Sequence, residues 1–140
     1  MNVIISIQEE RIYNDVYAIT AHTGKASDNM DKISASEDEA GIIESFLRES
    51  ASELSDVIST YGTIEYGDGV LNINFDLPSN WKDTAKPTLE QCLVNYLSNS
   101  ICQRWFAMTN KEDVKYYSDK VVVNATNIIK LLCERIKPKR

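Results

Sequence analysis

The side chains that most often carry out chemistry in proteins are few in this chain and lie far apart along it. His22 is the single histidine, which excludes a metal site built from several histidines and leaves any catalytic triad with one possible base. It stands beside Thr20, Thr23 and Gly24 near the end of a helical pattern, where a C-terminal cap is the preferred interpretation. No serine or cysteine lies in the Gly-x-Ser-x-Gly setting of a nucleophile elbow.

The acidic residues also fail to form a pattern typical of a catalytic or metal site. Glu9-Glu10 and Glu112-Asp113 fall in predicted first helical turns, where stabilisation of the helix dipole accounts for them. Asp28 and Asp31 lack the alternating oxygen ligands and the central glycine of a calcium loop. We therefore predict no catalytic, cofactor-binding or metal-binding residues, no cofactor and no enzyme activity.

The cysteines and the charges narrow the class of protein. Three cysteines are an odd number and lie in helical patterns, which favours buried, reduced thiols in a cytosolic protein: Cys92, Cys102 and Cys133. Residues 1–110 carry 7 Lys/Arg and 17 Asp/Glu, a net charge of −10, whereas residues 111–140 carry 8 and 4, a net charge of +4. The acidic body argues against sequence-specific nucleic-acid binding, while a weak local contact with DNA through the basic tail stays open.

Length and hydropathy point to one domain over residues 1–140. Apolar residues make up 43% of the chain, enough for a core, yet no apolar run approaches the roughly 20 residues that a membrane span needs. The apolar start at residues 1–5 is too short for a signal peptide, so secretion by that route is not expected.

Hydrophobic spacing predicts a mainly α (α+β) fold, a bundle of about four helices with a β-hairpin between the second and the third. The helices are expected over about residues 7–23, 37–61, 87–108 and 110–137. Three Ser/Thr-x-x-Glu capping boxes are expected to begin three of these helices: Ser6 with Glu9, Ser36 with Glu39, and Thr109 with Glu112. Pro138 is expected to end the last helix.

The hairpin is predicted over about residues 63–77, where Leu71, Ile73, Phe75 and Leu77 alternate with polar residues. The Gly-Asp-Gly run at residues 67–69 resembles a phosphate loop only superficially, because neither a lysine nor a helix follows it. An isolated hairpin is only marginally stable. It must pack on the helices or pair with a further strand, either residues 2–5 of this chain or a strand of a neighbouring subunit.

A few aromatic and valine side chains are candidates for a protein interface. Trp105 and Phe106 are adjacent on a helix and point about 100° apart, so we expect one of them to face away from the core. Val121-Val122-Val123 lowers helix propensity, so either tertiary packing overrides that cost or Val123 meets a partner surface. Trp81 lies in a Pro-containing loop and is a further candidate. The predicted interface residues are thus Trp81, Trp105, Phe106 and Val123.

The order of these features resembles the head–tail connector (adaptor) family of tailed bacteriophages. In that family an acid-started helix precedes a β-hairpin region, and a loop with tryptophan and proline leads into a long helix that ends in an aromatic pair. The matching segments here are 37–61, 63–77, the loop 78–81, and 89–106. The resemblance covers about residues 37–108.

A second resemblance lies in the C-terminal third. The motifs Arg104-Trp105-Phe106, Thr109-Asn110-Lys111-Glu112 and Tyr116-Tyr117-Ser118, closing on the basic residues at 135–140, resemble small proteins carried by phages and prophages of gut bacteria. Residues 1–23 and the long last helix depart from the general connector pattern. These departures leave open a different ring of the neck or a tail-completion protein.

The resemblance implies a structural virion protein that forms a homo-oligomeric ring between portal and tail proteins, in the virion or the bacterial host cytoplasm. The acidic body and the basic tail suit head-to-tail contact, and an acidic inner wall would let DNA pass without sticking. Two other classes stay open: a small interaction module that binds through the Trp105/Phe106 surface, and an enzyme with an unrecognised site.

Overall fold

Four α-helices and one small antiparallel sheet make up the residues that the computed structural model describes, which are 1–25, 40–109 and 111–136. The order is β1 (Asn2–Gln8), α1 (Glu9–Lys25), α2 (Ala40–Val57), β2 (Gly62–Gly67), β3 (Val70–Asp76), α3 (Lys86–Thr109) and α4 (Val114–Leu132). The predicted fold class is confirmed, including the hairpin between the second and third helices. The described residues contain no helix that is both long and apolar enough to cross a membrane.

The N-terminal strand completes the sheet that the hairpin begins. The strand order is β1-β3-β2, with Ile5 opposite Ile73 and Ile64 opposite the same residue on the other side. Val3, Ile5 and Ile7 are buried while the residues between them are exposed. Pairing of β1 on β3 gives the hairpin the third strand that it needs, and the partner is this chain's own N-terminus.

The predicted start of the first helix at Ile7 is wrong. Ser6 lies in β1, and its hydroxyl donates a 2.7 Å hydrogen bond to Asn72 Oδ1 on β3 instead of capping a helix. The alternation of buried isoleucines, with a period of two, continues through Ile7 and outweighs the short capping motif. The helix begins at Glu9, whose backbone N–H donates to the Gly69 carbonyl oxygen at 2.9 Å.

The α2 helix ends at Val57, earlier than the predicted residue 61, and the chain then turns into β2. The backbone N–H groups of Tyr61 and Gly62 both donate to the Ile58 carbonyl oxygen, which closes the turn. At Gly62 an added Cβ would overlap the Asn74 carbonyl oxygen on β3, so only glycine fits there. The capping box predicted at residues 36 and 39 lies outside the described residues.

The α3 helix is the centre of the molecule, because α1, α2, α4 and β1 all pack against it. Its buried residues therefore point in several directions and include Trp105, Phe106 and the polar triplet Ser98-Asn99-Ser100. The expectation that Trp105 or Phe106 faces away from the core is wrong. A helix that is covered on several sides by other helices buries both neighbours, whatever the angle between them.

The α4 helix begins later and ends earlier than predicted. The Thr109 hydroxyl donates to the Trp105 carbonyl oxygen at 3.0 Å, so Thr109 closes α3, and a 3-10 turn at Lys111–Asp113 precedes α4. The helix stops at Leu132 instead of residue 137, and Pro138 lies outside the described residues. The reason is a tertiary contact: the backbone N–H of Ile136 donates to the Asn80 carbonyl oxygen at 2.8 Å, which draws the chain away from the helix axis.

Candidate protein-interaction surface

Three of the four predicted interface residues lie in the core. Trp81 and Trp105 are each 1% exposed and Phe106 is fully buried, whereas Val123 is 57% exposed. The Trp81 indole N–H donates to the Leu131 carbonyl oxygen at 3.0 Å. Trp81, Trp105 and Phe106 therefore hold the described fold together and are not surface residues. Only Val123 keeps the exposed position on which its prediction depends.

Phe106 fixes the packing of the closing helical pair. Its ring centroid lies 5.1 Å from that of Tyr117 on α4, and Tyr117 meets Tyr116 edge-on at 5.0 Å. Such aromatic pairs stabilise a helix contact beyond the area that they bury. The structure thus joins Phe106 to the core, while Tyr116, one residue from Tyr117, carries the aromatic surface outward.

Exposed apolar side chains lie on α4 among lysines, and we refer to Tyr116, Lys120, Val122 and Val123 as the α4 outer face. Tyr116 is 55% and Val122 63% exposed. The Lys120 Nζ lies 4.5 Å from the Tyr116 ring centroid, within the range of a cation–π contact. Large apolar side chains exposed next to one another are typical of an interface.

The α2 and α4 helices carry net charges of opposite sign. The α2 helix carries four carboxylates and one arginine, a net charge of −3, and α4 carries three lysines and one aspartate, a net charge of +2. The exposed carboxylates on α2 include Glu44, which pairs with Arg48, and Glu49 and Glu53, which both pair with Arg104 on α3.

A groove of about 490 Å³ lies between α1 and α4 over α3, and we call it the amide groove. Ile19 lines it from α1, and Asn95 and Asn99 line it from α3. The α4 helix supplies the other residues: Tyr116, Asp119, Lys120, Val123 and Asn124. The groove therefore borders the α4 outer face and shares three residues with it.

One polar atom of this groove is buried without a hydrogen-bond partner among the described residues. Asn99 is 8% exposed, and Asn124 Oδ1 is buried with no hydrogen-bond partner among the described residues. The Asn95 Oδ1 accepts a 2.9 Å hydrogen bond from Gln91 Nε2, which engages the oxygen and not the NH₂ group of that amide. Buried polar atoms are hydrogen-bonded to protein or water in the great majority of cases, so Asn124 Oδ1 is a candidate contact for a donor that enters the groove.

A second cavity of about 430 Å³ lies where the β2–β3 turn meets the start of α1, with Glu9, Glu10, Tyr13 and Asp68 in its lining. Burial, reinforced by the charges of Glu9 and Glu44, raises the pKa of Tyr13 to about 12. Tyr13 is therefore neutral at ordinary pH. Within the described ranges no three His, Cys, Asp or Glu side chains lie close enough to hold a metal ion.

Two of the three cysteines, Cys92 and Cys102, are buried or half-buried thiols that are not activated as nucleophiles. Burial raises the pKa of the Cys102 thiol to about 12 and also raises that of Cys92, the opposite of the shift that a reactive thiolate requires. Cys133 is exposed, with its Sγ 3.1 Å from the Tyr61 hydroxyl. The predicted capping role of His22 lies outside the described side chains.

Sequence reasoning missed the polar residues of the amide groove. The signal in the sequence is the run of three polar residues Ser98-Asn99-Ser100, and the structure buries all three. Comparison of the chain with protein-family models, with curated proteins and with solved structures finds no match.

Proposed function

We propose that this chain is a structural subunit that works by binding other protein chains, and that it forms a ring as a head–tail connector of a tailed bacteriophage. The observation that carries the first part is the α4 outer face. Two adjacent valines and a tyrosine are exposed among lysines on a helix whose other side already fills the core. Tyr116 and Val123 are seven residues apart and so lie on one side of α4, where they can contact a second chain while Tyr117, Ile128 and Leu132 pack inward.

Ring formation is supported by the charge of the two helices that flank α3. A head-to-tail contact uses two different surfaces of the same chain and closes into a ring when the rotation between copies fits. The acidic α2 surface of one copy and the lysines on α4 of the next are such a pair. Complementary charge would speed encounter and fix the direction of the contact.

The connector assignment has its support in the order of elements. The second helix, the hairpin, the loop with Trp81 and the long helix that ends in Trp105-Phe106 follow one another as in the connector family. The extra N-terminal strand and helix favour a second candidate, a different neck ring or a tail-completion protein. A small phage-encoded interaction module would use the same α4 outer face without closing a ring.

Deleting the gene from an inducible prophage tests the connector assignment. We expect DNA-filled heads and separate tails that fail to join, visible by negative-stain electron microscopy, and rescue by the gene supplied in trans. Neighbouring genes for portal, capsid and tail proteins are expected. Complete, infectious particles from the deletion strain would contradict the proposal.

Charge-introducing variants test the proposed surface. Val123→Glu is expected to abolish rescue in the deletion strain, because it places a carboxylate in an apolar contact. Ile4→Glu is the matched control, since Ile4 is also apolar and 55% exposed but lies on the sheet. Equal rescue by the two variants would remove the α4 outer face from the proposal. In electron cryomicroscopy of the assembled ring we expect an acidic lumen, and a neutral or basic lumen would contradict it.

A further inference from the structure

We infer that the amide groove binds an extended, uncharged peptide segment of a partner protein, and that Asn99 and Asn124 contact the main chain of that segment. This deepens the proposed function by naming the chemistry of the ligand, and it rests on that function only in taking the partner to be a protein. The groove is a binding site formed by three helices, and its floor is the buried helix α3.

The polar atoms in the groove match a peptide main chain. Asn124 Oδ1 is a buried acceptor without a hydrogen-bond partner among the described residues, and a ligand N–H that reaches it after a small side-chain movement would supply one. The Asn99 amide is nearly buried and carries both a donor group and an acceptor, the same pair that each peptide unit presents. An asparagine can therefore pair with one peptide unit of an extended chain through two hydrogen bonds, and this recognition does not depend on the ligand's side chains.

The dimensions of the groove set the length of the segment. Tyr116 and Asn124 are eight residues apart on α4, which corresponds to about 12 Å along the helix. An extended chain advances about 3.3 Å per residue, so the groove accommodates roughly three to four residues. Asn95 and Asn99 are separated by one helical turn along the floor, close to the spacing of alternate residues in an extended peptide.

The charge and the walls of the groove define the side chains of the ligand. Asp119 and Lys120 carry opposite charges, so the groove as a whole favours neither sign. Ile19 and Val123 provide apolar walls, and Tyr116 adds an aromatic face at the rim. Small apolar side chains on either side of the main chain fit this lining. A nucleotide fits less well, because the single lysine that could meet its phosphates lies beside a carboxylate.

Selection from a library of displayed random heptapeptides tests the inference. Peptides that bind the full-length protein are then synthesised and titrated against the wild type and its variants, with adenosine titrated in parallel. We expect saturable binding of uncharged peptides, with chemical-shift changes in the side-chain amides of Asn99 and Asn124. Binding should weaken by about tenfold or more in Asn124→Leu and in Tyr116→Ala.

The fold provides a matched control variant for this test, and three outcomes would overturn the inference. Asn127→Leu changes an exposed asparagine of the same helix outside the groove and is expected to leave peptide affinity unchanged. Tyr116 is exposed, so Tyr116→Ala tests the site even if a core variant unfolds. Peptides whose affinity is independent of both Asn124 and Tyr116, the absence of any selected peptide, or saturable binding of adenosine alone would each overturn the inference.

Failure of this inference can be told apart from failure of the proposed function. If no peptide binds the groove but the deletion strain makes heads and tails that fail to join, the inference falls while the connector proposal stands. If the deletion strain makes complete particles but peptides bind the groove, the connector proposal falls and the peptide site stands.

Discussion

The hydroxyl of Ser50 on α2 donates a 2.8 Å hydrogen bond to the hydroxyl of Ser100 on α3, and both residues are fully buried. The Arg104 guanidinium donates to the same Ser100 oxygen at 2.9 Å and also bonds to Glu49 and Glu53 on α2. Burial lowers the pKa of Arg104, but the bonds to the two carboxylates outweigh it, and the net direction is upward. Ser100 and Arg104 thus hold α3 against α2 through directional hydrogen bonds, in addition to the apolar packing between the two helices.

Removal of the Ser100 hydroxyl is expected to destabilise the fold. Ser100→Ala leaves the buried Ser50 hydroxyl and one Arg104 donor without their partner, at a cost of about 1–3 kcal/mol. The double variant Ser50→Ala/Ser100→Ala should cost less than the sum of the two single variants, because it removes both ends of the bond. Urea denaturation measures these free energies of unfolding, with the exposed Ser52→Ala as the control. Strict additivity would show that the bond contributes nothing.

Trp81 is expected to hold the C-terminal segment in place as well as to stabilise the core. Trp81→Phe keeps an aromatic ring but loses the indole bond to the Leu131 carbonyl oxygen, so we expect a loss of about 1–3 kcal/mol. The amide of Ile136, which bonds to Asn80 beside Trp81, should exchange its hydrogen faster. Ile136→Ala, which shortens an exposed side chain, should stay within about 0.5 kcal/mol of the wild type. An unchanged rate of amide hydrogen exchange at Ile136 would show that the position of the C-terminal segment does not depend on Trp81.

Stability should fall at high pH because of Cys102. Its pKa is raised by burial from 9.0 to about 12, so the folded state holds the proton more tightly than the unfolded state. The contribution is therefore complete below pH 9 and is lost as the pH rises toward 12, by on the order of 4 kcal/mol in total. Urea denaturation under reducing conditions at pH 8 and pH 10.5 measures it. Cys102→Ala should show a smaller loss between these pH values than the wild type and Ser52→Ala, and equal losses would contradict the assignment.

Most helices and strands could be predicted from the sequence because the residue pattern that determines each one lies within its own segment. The apolar spacing in α2 and the alternation from Leu71 to Phe75 are visible in the sequence of each segment. The Ser6–Glu9 capping motif does not mark the start of a helix, because a motif of two residues also occurs at the end of a strand. The burial of both Trp105 and Phe106 depends on which helices cover α3, and the sequence of α3 alone does not give that information.

The amide groove could not be predicted for a related reason. Asn99 and Asn124 are 25 positions apart, on helices whose mutual rotation is set by contacts such as that of Phe106 with Tyr117. Periodicity assigns each residue to a face of its own helix but does not say which faces meet. In the sequence, only the three consecutive polar residues around Asn99 indicate a polar site on this helix.

Two glycines should respond to the same substitution in opposite directions. In Gly62→Ala the new Cβ meets the Asn74 backbone, which cannot move without breaking the sheet, so we expect a loss of about 1–3 kcal/mol or more. At Gly41 in α2 nothing lies within 4 Å of the new Cβ, and alanine favours a helix, so Gly41→Ala should gain about 0.5–1 kcal/mol. Thermal unfolding of both variants measures the difference. A tolerated Gly62→Ala would show that β2 can shift away from β3.

Asn124→Leu separates the stability of the amide groove from its function. An acceptor that is buried without a partner lowers stability, so replacing the amide with an apolar side chain of similar size should leave the free energy of unfolding unchanged or raise it by about 1 kcal/mol. Most substitutions of half-buried residues destabilise a protein, and a gain here means that the asparagine is retained at the expense of stability. Urea denaturation of Asn124→Leu beside Asn127→Leu measures the effect. A loss of 2 kcal/mol or more, as expected for a broken internal hydrogen bond, would show that Asn124 has a structural partner within the chain and is not available to a ligand.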